Sequence, residues 1–107
     1  MIGNTKTYYF KLQAMEKGMK LKVRKELDGR QQSSIIKLKG SLIAKGYTEI
    51  IHILDQDDDF HINTFEIENG SDSEVCEFIT AFIAREKLED SISIFEVIGG
   101  QNSERLN

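Results

Sequence analysis

The order in which strand-like and helix-like segments follow one another is the strongest constraint on the fold of this chain. Apolar alternation and β-branched residues mark five segments as half-buried strands, and apolar spacings of three and four mark two segments as amphipathic helices. The order is strand, strand, helix, strand, strand, helix, strand. The predicted strands are Thr7–Gln13, Met19–Leu27, Thr48–Leu54, Phe60–Ile67 and Ser91–Ile98.

Both predicted helices begin at a capping signal. Asp28 with Gln31, and Ser71 with Glu74, have the spacing of reciprocal N-terminal caps. Gly46 suits a left-handed C-terminal cap for the first helix. The apolar face of the first helix is predicted to carry Ile35, Ile36, Leu38, Leu42 and Ile43. That of the second is predicted to carry Val75, Phe78, Ile79, Phe82 and Ile83.

These elements predict an α+β protein with the chain order ββαββαβ. Without the second strand the order is β-α-β-β-α-β, the split βαβ arrangement of ferredoxin-like folds, in which two helices cover one face of an antiparallel sheet. The absence of proline fits paired strands. The chain of 107 residues is expected to form a single α+β domain over residues 1–98, followed by a polar tail over residues 99–107.

Composition limits the class of protein. Hydrophobic residues make up 39% of the chain and charged residues 30%, which is typical of globular domains. No apolar run approaches the roughly 20 residues of a membrane-spanning helix, and residues 1–6 lack an apolar signal segment. Cys76 is the only cysteine, so an internal disulfide and a multi-thiolate metal site are both excluded. We expect a soluble, cytoplasmic protein that does not bind membranes.

Charge is distributed unevenly along the chain. Residues 1–45 carry eleven Lys and Arg against three acids, whereas residues 46–107 carry three against fifteen. This asymmetry indicates either two charged surfaces with different partners or two halves that neutralise each other in the fold. The sequence leaves both alternatives open.

Strand alternation also predicts which side chains the helices leave uncovered. The covered face is expected to carry Tyr8, Phe10, Leu12, Ile50, Leu54, Phe60 and Ile62. The other face is expected to carry Tyr9, Ile51, Ile53, His61, Asn63, Phe65 and Phe95 or its neighbours. We do not expect so apolar a face to be exposed to solvent, so it predicts an interaction site. The occupant could be a second copy of the chain, a different protein or a single-stranded nucleic acid.

Two segments could hold a metal ion. A four-residue turn after Leu54 would place His52 and His61 on one face near Asp59, whereas a five-residue turn would place them on opposite faces. We predict two hydrogen-bonded strand histidines and no metal. The acidic run 55–59 suggests a calcium loop, but Phe60 stands where an EF-hand requires glycine. The acidic run is therefore expected to be either a solvated turn or an acidic projection that binds a partner.

No pattern in the chain specifies a reaction. Cys76 lies near a helix start, where the helix dipole can activate a thiol, but no His or Asn is placed to act with it, so we predict a small buried or half-buried hydrophobe. Gly99-Gly100-Gln101 matches the tripeptide of peptide-release factors without the surroundings of that motif. The chain contains no phosphate loop, nucleophile elbow or triad order, so we predict neither an enzyme nor a cofactor.

The function predicted from these features is a non-enzymatic, acidic binding module. We expect an inhibitor of the immunity, antitoxin or phage anti-defence type that occludes a basic, nuclease-like protein. The predicted contact residues are Asp57, Asp58, Asp59, Glu66 and Glu68 for charge, with Tyr9 and Phe65 as anchors.

Two alternatives stay open. The first is a sheet-face homodimer that acts as a small ligand-binding or enzymatic module. The second is an RNA-binding domain that uses the basic edge formed by Lys20, Lys22 and Arg24. Carboxylates around the strands count against nucleic acid, because they repel phosphates.

Overall fold

A computed structural model of the chain describes residues 17–68 and 71–98, which form four strands and two helices. The predicted α+β class is confirmed. The predicted strand Thr7–Gln13, with Tyr9, and the predicted tail over residues 99–107 lie outside the described residues. The elements are β1 (Gly18–Arg24), α1 (Gly29–Ala44), β2 (Ile51–Asp55), β3 (Phe60–Glu66), α2 (Asp72–Arg85) and β4 (Ile92–Ile98).

The four strands form one antiparallel sheet in the order β2-β3-β1-β4. Strand β1 pairs with β3 on one side, where Leu21 lies opposite Asn63, and with β4 on the other. Strand β1 corresponds to the predicted strand Met19–Leu27, the one omitted to obtain the β-α-β-β-α-β order. It is therefore a central strand of the described sheet. This position fits its composition, because Met19, Leu21 and Val23 are all buried on one face.

Helix α1 begins and ends where the sequence predicts. The Gln31 amide donates to Asp28 Oδ1 at 2.8 Å, and the Asp28 amide donates to Gln31 Oε1 at 3.0 Å, so the reciprocal cap is present. Gly46 adopts a φ of 77°, the left-handed conformation predicted for the C-terminal cap. The predicted apolar face is partly wrong, because Ile36 and Ile43 are exposed while Ser34 is buried beside Ile35, Leu38 and Leu42.

Helix α2 has the predicted apolar face but not the predicted cap. Val75, Ile79, Phe82 and Ile83 are buried, and Phe78 packs partly buried against the core. The side chain of Ser71 makes no capping bond to the helix; its hydroxyl donates to the Glu68 carbonyl instead. Its predicted partner, Glu74, accepts a 2.7 Å hydrogen bond from the Tyr47 hydroxyl. This long-range contact occupies the carboxylate that a capping box requires.

The core lies between the two helices and one face of the sheet, which we call the helix face. Met19 and Leu21 of β1 pack there with Leu38 of α1 and Ile79 of α2. Because side chains alternate along a strand, the opposite or second face carries Lys20, Lys22 and Arg24 of β1.

The predicted assignment of residues to the two faces is wrong for both β2 and β3. In β2, Ile51 and Ile53 lie on the helix face and Leu54 on the second face, the reverse of the prediction. Phe65 is expected on the uncovered face, yet it lies directly opposite Met19 and is only 1% exposed. Ile62, expected under the helices, alternates to the second face and is not part of the core cluster. Both faces of β3 carry large apolar residues, so alternation alone does not reveal which one the helices cover.

Candidate functional site

The acidic segment 55–59 forms the tight connection between β2 and β3. Asp57 Oδ1 accepts two backbone hydrogen bonds of 2.9 Å, from the amides of Asp59 and Phe60. This geometry is an Asx turn, in which a short acidic side chain replaces a backbone acceptor. Asp57 is therefore directed at its own turn, whereas Asp58 and Asp59 present exposed side chains at its tip.

Further contacts fix this connection to the end of β1. The Lys25 amide donates to the Asp59 carbonyl at 2.8 Å, and Lys25 Nζ lies 3.3 Å from Asp55 Oδ1. His61 Nδ1 lies 3.3 Å from the same Asp55 oxygen. Asp55 is thus occupied by groups of its own chain. Because the turn is anchored at both ends, little conformational freedom is left for a partner to remove on binding.

The predicted acidic contact residues do not form one surface. Glu66 is the last residue of β3 and Asp59 immediately precedes the first, so the strand separates them by roughly 20 Å at its usual rise per residue. Glu68 lies beyond Glu66, where its amide donates to the Tyr47 carbonyl. The acidic tip defined by Asp58 and Asp59 is therefore distinct from the acids at the opposite end of β3.

Neither predicted aromatic anchor contributes to the described part of this surface. Phe65 belongs to the core, and a core side chain is not accessible to a partner without unfolding, so its predicted exposure is corrected. Tyr9 lies outside the described residues.

Apolar side chains next to the acidic tip come instead from β2. Ile53 is 55% exposed and Leu54 is 40% exposed, and they immediately precede the acidic segment. Their exposure follows from the position of β2 at one edge of the described sheet. Sequence reasoning missed this pair as contact residues, because no pattern within β2 indicates that it is an edge strand. Because side chains alternate along a strand, Ile53 lies on the helix face and Leu54 on the second face, so the two residues expose apolar area on opposite sides of β2. Exposed apolar side chains near carboxylates suit protein binding.

The two histidines lie on opposite faces of the sheet. His61 pairs with Asp55 and His52 pairs with Thr64, a register in which the two rings alternate to different sides. The predicted alternative of a four-residue turn over residues 55–58, which would pair His52 with His61, is therefore wrong. Within residues 17–68 and 71–98, no group of three or more His, Cys, Asp or Glu side chains is arranged to hold a metal ion.

A shallow groove of about 340 Å³ lies between α2 and β4. Ile83, Ala84, Ile92 and Ile94 supply most of its apolar lining, and Glu89 is its one ionisable residue. Neither histidine lines this groove.

Cys76 has the environment of a structural thiol. Burial raises the pKa of Cys76, and the negative charge of Asp72 adds to the shift. Because the thiolate is the reactive form, both effects oppose the activation that a helix N-terminus can provide.

We expect the Cys76 thiol to react more slowly with a disulfide reagent near neutral pH than a free cysteine does. Removing the charge with Asp72→Asn should lower the thiol pKa and speed the reaction. Stopped-flow absorbance over a pH series measures the rate of the thiol reaction and the pKa of Cys76. A pKa for Cys76 below that of free cysteine would contradict this assignment.

The described residues contain no helix with the length and apolar character needed to cross a membrane. Comparisons with protein-family models, curated proteins and solved structures find no match to the chain.

Proposed function

We propose that the protein is a non-enzymatic binding module whose acidic tip contacts a basic protein. The observation that carries this proposal is the anchored turn at residues 55–59, which holds the carboxylates of Asp58 and Asp59 in solvent. The strand that leads into this turn exposes Ile53 on one side and Leu54 on the other. Exposed charge accelerates encounter with an oppositely charged partner, and adjacent apolar area contributes affinity.

The form of activity we propose is inhibition by occlusion, as in immunity proteins, antitoxins and phage anti-defence proteins. A rigid acidic projection fits a cationic cleft such as the active site of a nuclease, because it competes with the phosphates that bind there. The single cysteine suits a reducing compartment, and on this ground we place the protein in the cytoplasm.

We further propose that the fold is the split βαβ arrangement of ferredoxin-like proteins. The strand order supports this, because β3 lies between β1 and β2, and β1 lies between β3 and β4. Each strand–helix–strand unit is thus split by a strand of the other unit.

The proposal predicts that charge reversal at the acidic tip abolishes fast association. Asp58→Lys with Asp59→Lys, leaving Asp57 to hold the turn, should lower the association rate constant by roughly tenfold or more at low salt. Folding should not change, because both side chains are exposed. Affinity capture from nuclease-treated host lysate identifies the partner, and surface plasmon resonance against that purified partner gives the rates.

The matched control is Glu66→Lys with Glu77→Lys, which makes the same change in net charge at exposed positions away from the tip. The control variant should retain most of the association rate. Equal losses in the two double variants would reduce the effect to net charge and contradict a specific acidic tip. A stoichiometric basic partner that binds both double variants as fast as the wild-type protein would also contradict the proposed acidic tip.

A further inference from the structure

We infer that the second face of the sheet binds single-stranded nucleic acid, at a site separate from the acidic tip. Lys20, Lys22 and Arg24 stand at alternate positions of β1, so they form one line on this face, with a spacing of roughly 7 Å between neighbours. Because β1 is central, the line runs through the middle of the described sheet and not along its edge. A row of cations of this kind can follow a phosphate backbone.

Two aromatic rings flank the cation line. Lys22 Nζ lies 4.4 Å from the ring centroid of Phe60 on β3 and 5.6 Å from that of Phe95 on β4. The Arg24 guanidinium lies 6.0 Å from the Phe60 ring. Phe95 is 48% exposed, so its ring is accessible to a ligand. Bases of any sequence stack on aromatic rings, and cations beside those rings bind the linking phosphates.

One buried polar group on the same face, the Thr64 hydroxyl, has no hydrogen-bond partner among the residues that the structure describes. Thr64 lies directly opposite Lys20 and is only 4% exposed. Because Thr64 Oγ1 is enclosed, a phosphate at this point of the face would contact the partly exposed Lys20 side chain.

The charges on this face favour nucleic acid over a second copy of the chain. Face-to-face packing of two copies would bring two lines of cations together in a buried interface, which is costly. Two features limit the affinity for nucleic acid. Glu96 lies 3.6 Å from Lys20, and the acidic tip lies beyond the Arg24 end of the line. Binding should therefore be weak and depend steeply on salt.

Fluorescence anisotropy with a labelled oligothymidylate of about 12 nucleotides tests the site. Affinity for the wild-type protein should fall between about 50 mM and 200 mM salt, with a logarithmic slope near −2 for three phosphate contacts. Lys20→Ala with Lys22→Ala should reduce that slope to about −0.7. Phe95→Ala should weaken binding at least about fivefold through lost stacking.

The matched control is Lys37→Ala with Lys45→Ala, which removes two exposed cations from the other side of the molecule and should leave affinity nearly unchanged. The proposal is overturned if the wild-type protein does not bind at the lower salt, if the control loses as much affinity, or if Phe95→Ala has no effect. Equal affinity for a duplex would also overturn it. If the native mass of the protein were that of a dimer, and Phe95→Ala converted the dimer to a monomer, the face would instead bind a second copy of the chain. Circular dichroism checks that each variant is folded.

Discussion

Replacing Phe65 with alanine is expected to lower the free energy of unfolding by about 3–5 kcal/mol. Phe65 lies opposite Met19 of β1 and Ile51 of β2, and it packs in the core. Truncation removes a large apolar contact and leaves a cavity that β3, held on both sides, cannot close. The loss is a large fraction of the stability of a typical small domain. Urea unfolding followed by circular dichroism measures it.

Phe95→Ala is the matched control for this experiment. It removes the same side chain from β4, at a position that is about half exposed, so the expected loss is below about 1 kcal/mol. Equal losses of stability in the two variants, or a larger loss for Phe95→Ala, would contradict the placement of Phe65 in the core and of Phe95 on the exposed face. The pair therefore tests the assignment of faces on which the proposed nucleic-acid site depends.

Replacing Asn63 with leucine is expected to raise the free energy of unfolding by about 1–3 kcal/mol. Asn63 lies on the helix face between Leu21 and Ile53, and its Oδ1 is buried with no hydrogen-bond partner within residues 17–68 and 71–98. The native state loses the hydration of that oxygen without compensation. Leucine has a similar size and carries no polar group, so the penalty disappears.

Asn63→Asp is the companion variant. It keeps the shape of the side chain but places a carboxylate at the same buried position, so it should destabilise the protein by several kcal/mol near neutral pH. Urea midpoints for the two variants should therefore move in opposite directions. A leucine variant that is less stable than the wild type would mean that Oδ1 has a partner, such as an ordered water.

Local signals in the sequence predict the elements well. The α1 cap formed by Asp28 and Gln31 is present atom by atom, and Gly46 has the predicted left-handed conformation. These features depend on residues a few positions apart, whose contacts the backbone geometry fixes. The cap of α2 could not be predicted in the same way. Glu74 is engaged by Tyr47, a residue 27 positions away in the chain.

The candidate sites were less predictable than the elements. The acidic segment 55–59 is evident in the sequence, but the role of Asp57 in its own turn and the pairing of Asp55 with Lys25 are products of the folded geometry. Phe65 is the clearest error. Its polar neighbour Asn63 shares its face, so the alternation of β3 resembles that of a strand with its apolar residues on the opposite side.

The order of strands and helices, the capping of α1, the buried face of α2 and the presence of an acidic turn can all be predicted from the amino-acid sequence alone. All of these depend on periodicity or on contacts within a few residues. The folded chain is needed to see that β1 is central, that β2 is at an edge of the described sheet, and that Phe65 is in the core. The same holds for the face that the cations of β1 share with Phe60 and Phe95. Strand pairing joins residues far apart in the chain, and a shift of one residue exchanges the faces. The charges of the chain therefore become two separate surfaces only when the sheet is assembled.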